Sequence, residues 1–147
     1  MPFIIRWPAT IPAGTIDSTS VISATDVYKS LCTFAGGQYP SRYTSDGVDV
    51  SKAWLGKPLA RQRPLYWEYG RNEQSFKYPA GNGKSPSLAV RKGKWKLLMN
   101  KDGSHLELYD IESDTKETKN VASSNPRAVQ ELKELLMKWW NGLPTML

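Results

Sequence analysis

The most suggestive chemistry in this 147-residue chain lies in two short stretches: Glu68, Tyr69, Arg71 and Asn72 in "WEYGRN", and Arg91 in "LAVRK". A guanidinium fork can pair two oxygens of a sulfate, phosphate or carboxylate at once, and neighbouring amide and phenol groups can complete the grip. At the mouth of a sheet these residues would hold an anion. The plainer reading is a set of solvated surface side chains. His105 is the one histidine. With no second histidine, nearby cysteine or adjacent nucleophile, neither a Ser-His-Asp arrangement nor a zinc site can be assembled around it. It reads as a polar residue at a strand edge.

Other candidates fail on spacing. Asp110, Glu112, Asp114, Glu117 and Asn120 in "DIESDTKETKN" offer oxygens to a calcium ion, but an EF-hand loop needs a central glycine and this segment has none. It reads as a carboxylate-rich strand-to-loop transition that hydrogen-bonds its own backbone. In "QYPSR", residues 38–42, Pro40, Ser41 and Arg42 fall where a Cys-x-Pro-Ser-Arg nucleophile motif has them. The residue to be oxidised to an aldehyde is Gln38, however, and glutamine cannot give that aldehyde. Cys32 lies six positions too early. As the sole cysteine it excludes an internal disulfide and any multi-cysteine metal site, and it reads as a buried thiol. "GNGKSP", residues 81–86, lacks the spacing of a phosphate loop and no helix follows it.

The elements that must position these groups follow from periodicity. "PFIIRW" reads as a short buried strand, and "PATIPAG" as its exit loop. "VISATDVYKSLCTFAGG" places Val27, Leu31 and Phe34 at helical spacing, with Ser23 or Thr25 as a cap and Gly36-Gly37 as the stop. Val48, Val50, Trp54 and Leu55 in "DGVDVSKAWLGK" are expected to pin a loop or helical turn to the core. "RPLYWEYG", "SLAVR", "KWKLLM" and "HLELYD" are strand candidates. Lys92-Gly93 and "NKDGS" separate the last three as hairpin turns, which predicts an antiparallel meander. A long excursion over residues 70–86 precedes it. The last element is a helix: Asn125 as cap, Pro126 at its first position, Val129, Leu132, Leu136, Trp139 and Leu143 as one stripe widened by Leu135, and Gly142 and Pro144 as its end. A small antiparallel sheet with a long helix across one face is an α+β arrangement. No parallel-sheet neighbour for residues 3–7 is evident in the chain.

Composition bounds the function. The chain is 39% hydrophobic with six Trp and seven Tyr, which excludes a disordered chain. A formal charge of +6 permits an anionic partner. The lysines are dispersed, though: Lys92, Lys94 and Lys96 alternate with other residues, and Lys116 and Lys119 mix with Asp114 and Glu117, as on a solvated face. No apolar run is long enough to span a bilayer. Met1-Pro2 leads into the first strand with neither part of a secretory signal, so no export address is expected in the chain.

Taken in order, "PFIIRWPATIPAG", "VISATDVYKSLCTFAG", "DGVDVSKAWLGK", "RPLYWEY", "LAVRKGKWKLL", "LELYDIESDTKETKNVA" and the closing helix resemble the C-terminal part of sulfatases of the arylsulfatase and N-acetylgalactosamine-6-sulfatase type. The resemblance covers essentially the whole chain. It implies an alkaline-phosphatase-like α/β catalytic domain, followed by a subdomain of four antiparallel strands and a helix. Residues 1–63 would then be the tail end of the α/β domain plus a connecting segment, with residues 3–7 a strand of its large sheet, and residues 64–147 the subdomain. The family's formylglycine, Ca²⁺ ligands and catalytic Lys and His lie upstream of the matched segment. The resemblance therefore implies no cofactor in this chain and no catalytic residue, with Ca²⁺ and formylglycine belonging to the complete parent enzyme.

What the resemblance transfers is peripheral. The loop after the "WEY" strand and the start of the "AVR" strand face the substrate cleft in the family, so Glu68, Tyr69, Arg71, Asn72 and Arg91 are expected to contact the organic part of a sulfated carbohydrate. Thr115 and Lys116 stand where the family often has Pro-Gly. Two readings follow. In the first, the chain is a sulfatase fragment, inactive alone, whose partner is a missing N-terminal catalytic domain; its apolar strip at Phe3, Ile4, Ile5 and Trp7 then favours self-association. In the second, it is a free-standing anion-binding module for sulfated glycan or nucleic acid. Parent enzymes are often periplasmic, secreted or lysosomal, and the sequence leaves the compartment open.

Overall fold

The computed structural model describes residues 3–37, 44–69 and 85–144. The chain divides into two compact units, Met1–Arg63 and Pro64–Leu147.

The second unit contains the sheet: β1 (Leu65–Glu68), β2 (Leu88–Lys92), β3 (Trp95–Met99) and β4 (Glu107–Asp110), antiparallel throughout and in spatial order β1-β2-β3-β4. The expected meander and α+β class are what the chain adopts. Lys92 pairs with Trp95 across a two-residue turn whose first residue, Gly93, has φ +56°. Glycine at that position of a type II′ turn adopts the left-handed conformation without a Cβ clash and matches the twist of the strands.

Register assigns the faces. On one, Leu88, Val90, Leu97, Met99 and Leu108 are at most 1% exposed and pack with Leu132 and Leu136 of the helix Pro126–Asn141. That helix is numbered α3 because two shorter ones precede it. Each leucine so buried contributes about 1.5–3 kcal/mol. Tyr66 stacks on Trp139, rings 8° from parallel at 5.0 Å, and fastens β1 to α3. The other face carries a smaller cluster of Ala89, Leu98 and Tyr109. Pro126 opens α3 as expected, but Asn125 does not cap it: its amide turns back and donates to the Val121 carbonyl at 3.0 Å, at the short 3-10 turn Ala122–Ser124.

One sheet edge is closed by a side chain. Asn120 Oδ1 accepts from the Leu108 and Ala122 amides at 3.1 and 3.0 Å, its Nδ2 donates to Leu106 O, and the Val121 amide donates to Leu108 O. Asn120 thus supplies the donor and acceptor that a neighbouring strand would offer β4. Covering an edge in this way prevents it from templating another chain.

The first unit is built on α1 (Asp26–Phe34) and α2 (Ser51–Trp54). Periodicity in α1 predicts burial along Val27, Leu31 and Phe34. Instead Asp26 and Ser30 are fully buried, whereas Leu31 is 52% exposed. The polar pair goes inside because the loops around it have amides to satisfy. The Val50 amide donates to Ser30 Oγ at 2.9 Å, and the Ser23 and Val48 amides donate to Asp26. Cys32 is half-buried rather than buried. Residues 3–7, expected as a strand, carry no strand pairing, and among the described residues of this unit there is no strand for them to join.

Candidate functional site

β1 and β2 position the candidate anion-binding residues on two different faces. Pairing of Leu65 with Arg91 and of Glu68 with Leu88 sends Glu68 to the helix-covered face and Arg91 to the opposite one, since alternate residues of a strand point to opposite sides. Glu68 is 10% exposed at its side chain, with Oε1 3.5 Å from Lys101 Nζ. The same ammonium lies 4.6 Å from the Trp140 ring centre. The result is a carboxylate, a cation and an indole stacked at one end of the sheet. Lys101 and Trp140 carry no sequence signal for this: one sits in a turn, the other beside Trp139 on a helix.

Tyr69 is 54% exposed, and its amide extends the β1–β2 pairing by donating to Ser87 O at 2.7 Å. By alternation it shares a face with Arg91, which sits at the other end of the pairing, four residues away and so roughly 13 Å along the strand. Arg91 Nε donates to Gly93 O at 3.3 Å. Burial pushes its guanidinium below its ordinary pKa, and the charge of Glu112 partly offsets this. Arg71 and Asn72 lie outside the described residues. The structure therefore brings Tyr69 and Arg91 to one face and places Glu68 on the other.

The lysines that give the chain its basic character face carboxylates. Lys92 pairs with Glu131 at 2.5 Å, Lys94 with Asp110 at 2.7 Å, and Lys96 with both oxygens of Glu117 at 2.6 and 2.8 Å. Around "SDTKET", Asp114 Oδ2 accepts from the Thr118 and Lys119 amides at 2.8 Å each, and the bond from Lys119 leads in holding its carboxyl below the usual range. Asp110 and Asp114 accept from backbone amides of this segment, as the sequence suggests, whereas Glu117 is taken up by Lys96 and Asp110 also holds Lys94. Tyr109 donates to Glu107 Oε2 at 3.0 Å, and burial, helped by that bond and that charge, pushes its phenol up to about 12.

Sequence reasoning passes over a fully buried carboxylate in the first unit that accepts four hydrogen bonds. Asp26 is 0% exposed and forms a two-pronged pair with Arg61, Nη1 to Oδ2 at 2.6 Å and Nη2 to Oδ1 at 3.2 Å. Ser23 N donates to Oδ2 at 2.7 Å and Val48 N to Oδ1 at 2.8 Å. One carboxylate therefore ties the start of α1, the loop at residues 47–48 and the segment around residue 61 together. The glycine in "DGVD" permits it: a Cβ on Gly47 would lie 2.0 Å from Thr25 O. Arg61 is 35 residues from Asp26, so local spacing gives no hint of the pair.

The same unit carries a cluster of apolar surface. Phe3, Ile4, Trp7, Tyr28 and Leu31 are 44–88% exposed. A groove of about 400 Å³ is lined by Ile5, Trp7, Leu31, Phe34 and Trp54, with Arg6 at its side. Trp54 stacks between Phe3 and Phe34 at 5.6 and 5.7 Å, and Trp7 meets Phe34 edge-on at 5.3 Å. Trp54 Nε1 is buried without a hydrogen-bond partner among the described residues.

Residues 1–141 match the family model described as N-sulphoglucosamine sulphohydrolase, C-terminal. The chain belongs to this family. As a sulfatase C-terminal region it is similar to the N-acetylgalactosamine-6-O-sulfatase of Bacteroides thetaiotaomicron, 28% identical over 92% of the chain and 26% of the relative. It is likewise similar to the N-acetylglucosamine-6-O-sulfatase of that organism, 29% identical over 92% of the chain and 23% of the relative. The chain thus spans about a quarter of the length of these relatives. Among solved structures, one described in connection with the metabolism of multiple glycosaminoglycans by Bacteroides thetaiotaomicron matches with TM-score 0.69 and 25% identity, over 93% of this chain and 28% of that one. Another, in complex with its substrate D-glucosamine-2-N,6-O-disulfate, matches with TM-score 0.63 and 27% identity, over 94% and 27%.

Membership of a sulfatase family raises the question of formylglycine and Ca²⁺. Among the described residues neither finds a matching set of groups. The one cysteine lies on α1, outside the motif that would convert it, and the position inside a similar motif is Gln38. Among the described residues no group of three or more His, Cys, Asp or Glu could hold a metal ion, and no helix is long and apolar enough to cross a membrane.

Proposed function

We propose that this chain is the non-catalytic C-terminal part of a sulfatase acting on sulfated carbohydrate. The observation that carries the reading is the family match over residues 1–141, which runs through both units. Ester cleavage by the formylglycine route needs an activated nucleophile, a cation at the developing charge and a proton donor for the leaving alcohol. None of the three can be placed on a residue of this chain, so its role is to complete and stabilise a catalytic domain. In this reading residues 1–63 are the tail of that domain's α/β fold, and Phe3, Ile4, Ile5 and Trp7 face its sheet. The exposure of Phe3, Ile4 and Trp7 supports this, since apolar clusters of this kind mark interaction surfaces. Tyr69 and Arg91, on one face of the sheet, contribute with Arg71 and Asn72 to the wall of the substrate cleft; Glu68 points to the opposite face, towards Lys101, and is left out of that wall. The substrate held in a similar structure, a sulfated glucosamine, supports the carbohydrate class. A free-standing anion-binding module is less favoured, because Lys92, Lys94 and Lys96 are each engaged by a carboxylate.

The test is a chimera in which this chain replaces the matching C-terminal region of the N-acetylgalactosamine-6-O-sulfatase it resembles. The expected result is sulfate release from a 6-O-sulfated N-acetylgalactosamine by the chimera and none by the chain alone. Arg91→Ala in the chimera should raise KM with little change in kcat, the signature of lost substrate positioning. Sulfate release by the purified chain alone, surviving controls for contaminants, would overturn the reading. So would tight, salt-sensitive retention of the chain on an anionic polymer together with an inactive chimera.

A further inference from the structure

We draw no further inference here: the strongest candidate, the apolar groove of Ile5, Trp7, Leu31, Phe34 and Trp54 in the first unit, carries nothing beyond the domain contact already proposed, because nothing in the structure shows what else covers it.

Discussion

Replacing Asp26 with alanine removes an acceptor that serves four hydrogen bonds, two from Arg61 and one each from the Ser23 and Val48 amides. Both side chains of the ion pair are buried, 6% exposed for Arg61 and 0% for Asp26, so the guanidinium left behind is an unpaired charge out of water. Breaking a buried pair from one side costs about 3–5 kcal/mol, and an amide left without an acceptor adds about 1–3 kcal/mol where water cannot replace it. Ser23 and Val48 are only partly buried, so the low end applies and the expected loss is about 5 kcal/mol. That is comparable to the whole stability of a small domain. Arg61→Met should cost less, about 3 kcal/mol, because the two backbone amides still solvate the carboxylate. The double variant should be no worse than Asp26→Ala, giving a coupling energy of about 3 kcal/mol. Hydrogen exchange at the Val48 and Val50 amides in the full chain reads the first unit directly, with urea unfolding as the global measure. A loss below about 1 kcal/mol for Asp26→Ala, or additivity of the single variants within about 0.5 kcal/mol, would refute the argument that this pair is the unit's fastening.

Gly47→Ala places a Cβ 2.0 Å from Thr25 O and 2.9 Å from Asp26 Cα; the backbone must shift, and thermal unfolding should report a loss of at least about 2 kcal/mol, at the upper range for overpacking. Asn120→Ala leaves the Leu108 and Ala122 amides and the Leu106 carbonyl without their partner; a loss of about 1–3 kcal/mol is expected, with faster exchange at the Leu108 amide and a greater tendency to aggregate through the opened edge, measured by light scattering. Leu136→Ala empties a site that is 0% exposed between α3 and the sheet, at a cost of about 2–5 kcal/mol in urea unfolding. Tyr109 is raised from 10.0 to about 12, so in the unfolded chain its phenol ionises first while the folded one keeps its proton. The associated stability is fully present below pH 10 and falls by up to about 2–3 kcal/mol as pH rises towards 12. Tyr109→Phe should flatten that part of the pH–stability curve, and an unchanged slope would refute the assignment.

Sequence by itself determined the second unit, because the forces that shape it are local. Alternation in "HLELYD", a glycine between "AVRK" and "KWKLL", and the stripe through Leu132 and Leu136 each act over a few residues. Together they specify the meander and its helix. The order of those same patterns carried the family, since each pattern is a packing requirement of the shared fold. Tertiary structure decided what depends on residues far apart in the chain. Asp26 meets Arg61 across 35 positions, and two buried polar residues displaced the apolar stripe expected of α1 because unsatisfied loop amides cost more than an exposed Leu31. The faces of the sheet were decided in the same way. Glu68 and Arg91 look like neighbours in function when read as text, yet a pairing register that matches Leu65 with Arg91 puts them on opposite sides, because side chains alternate along every strand.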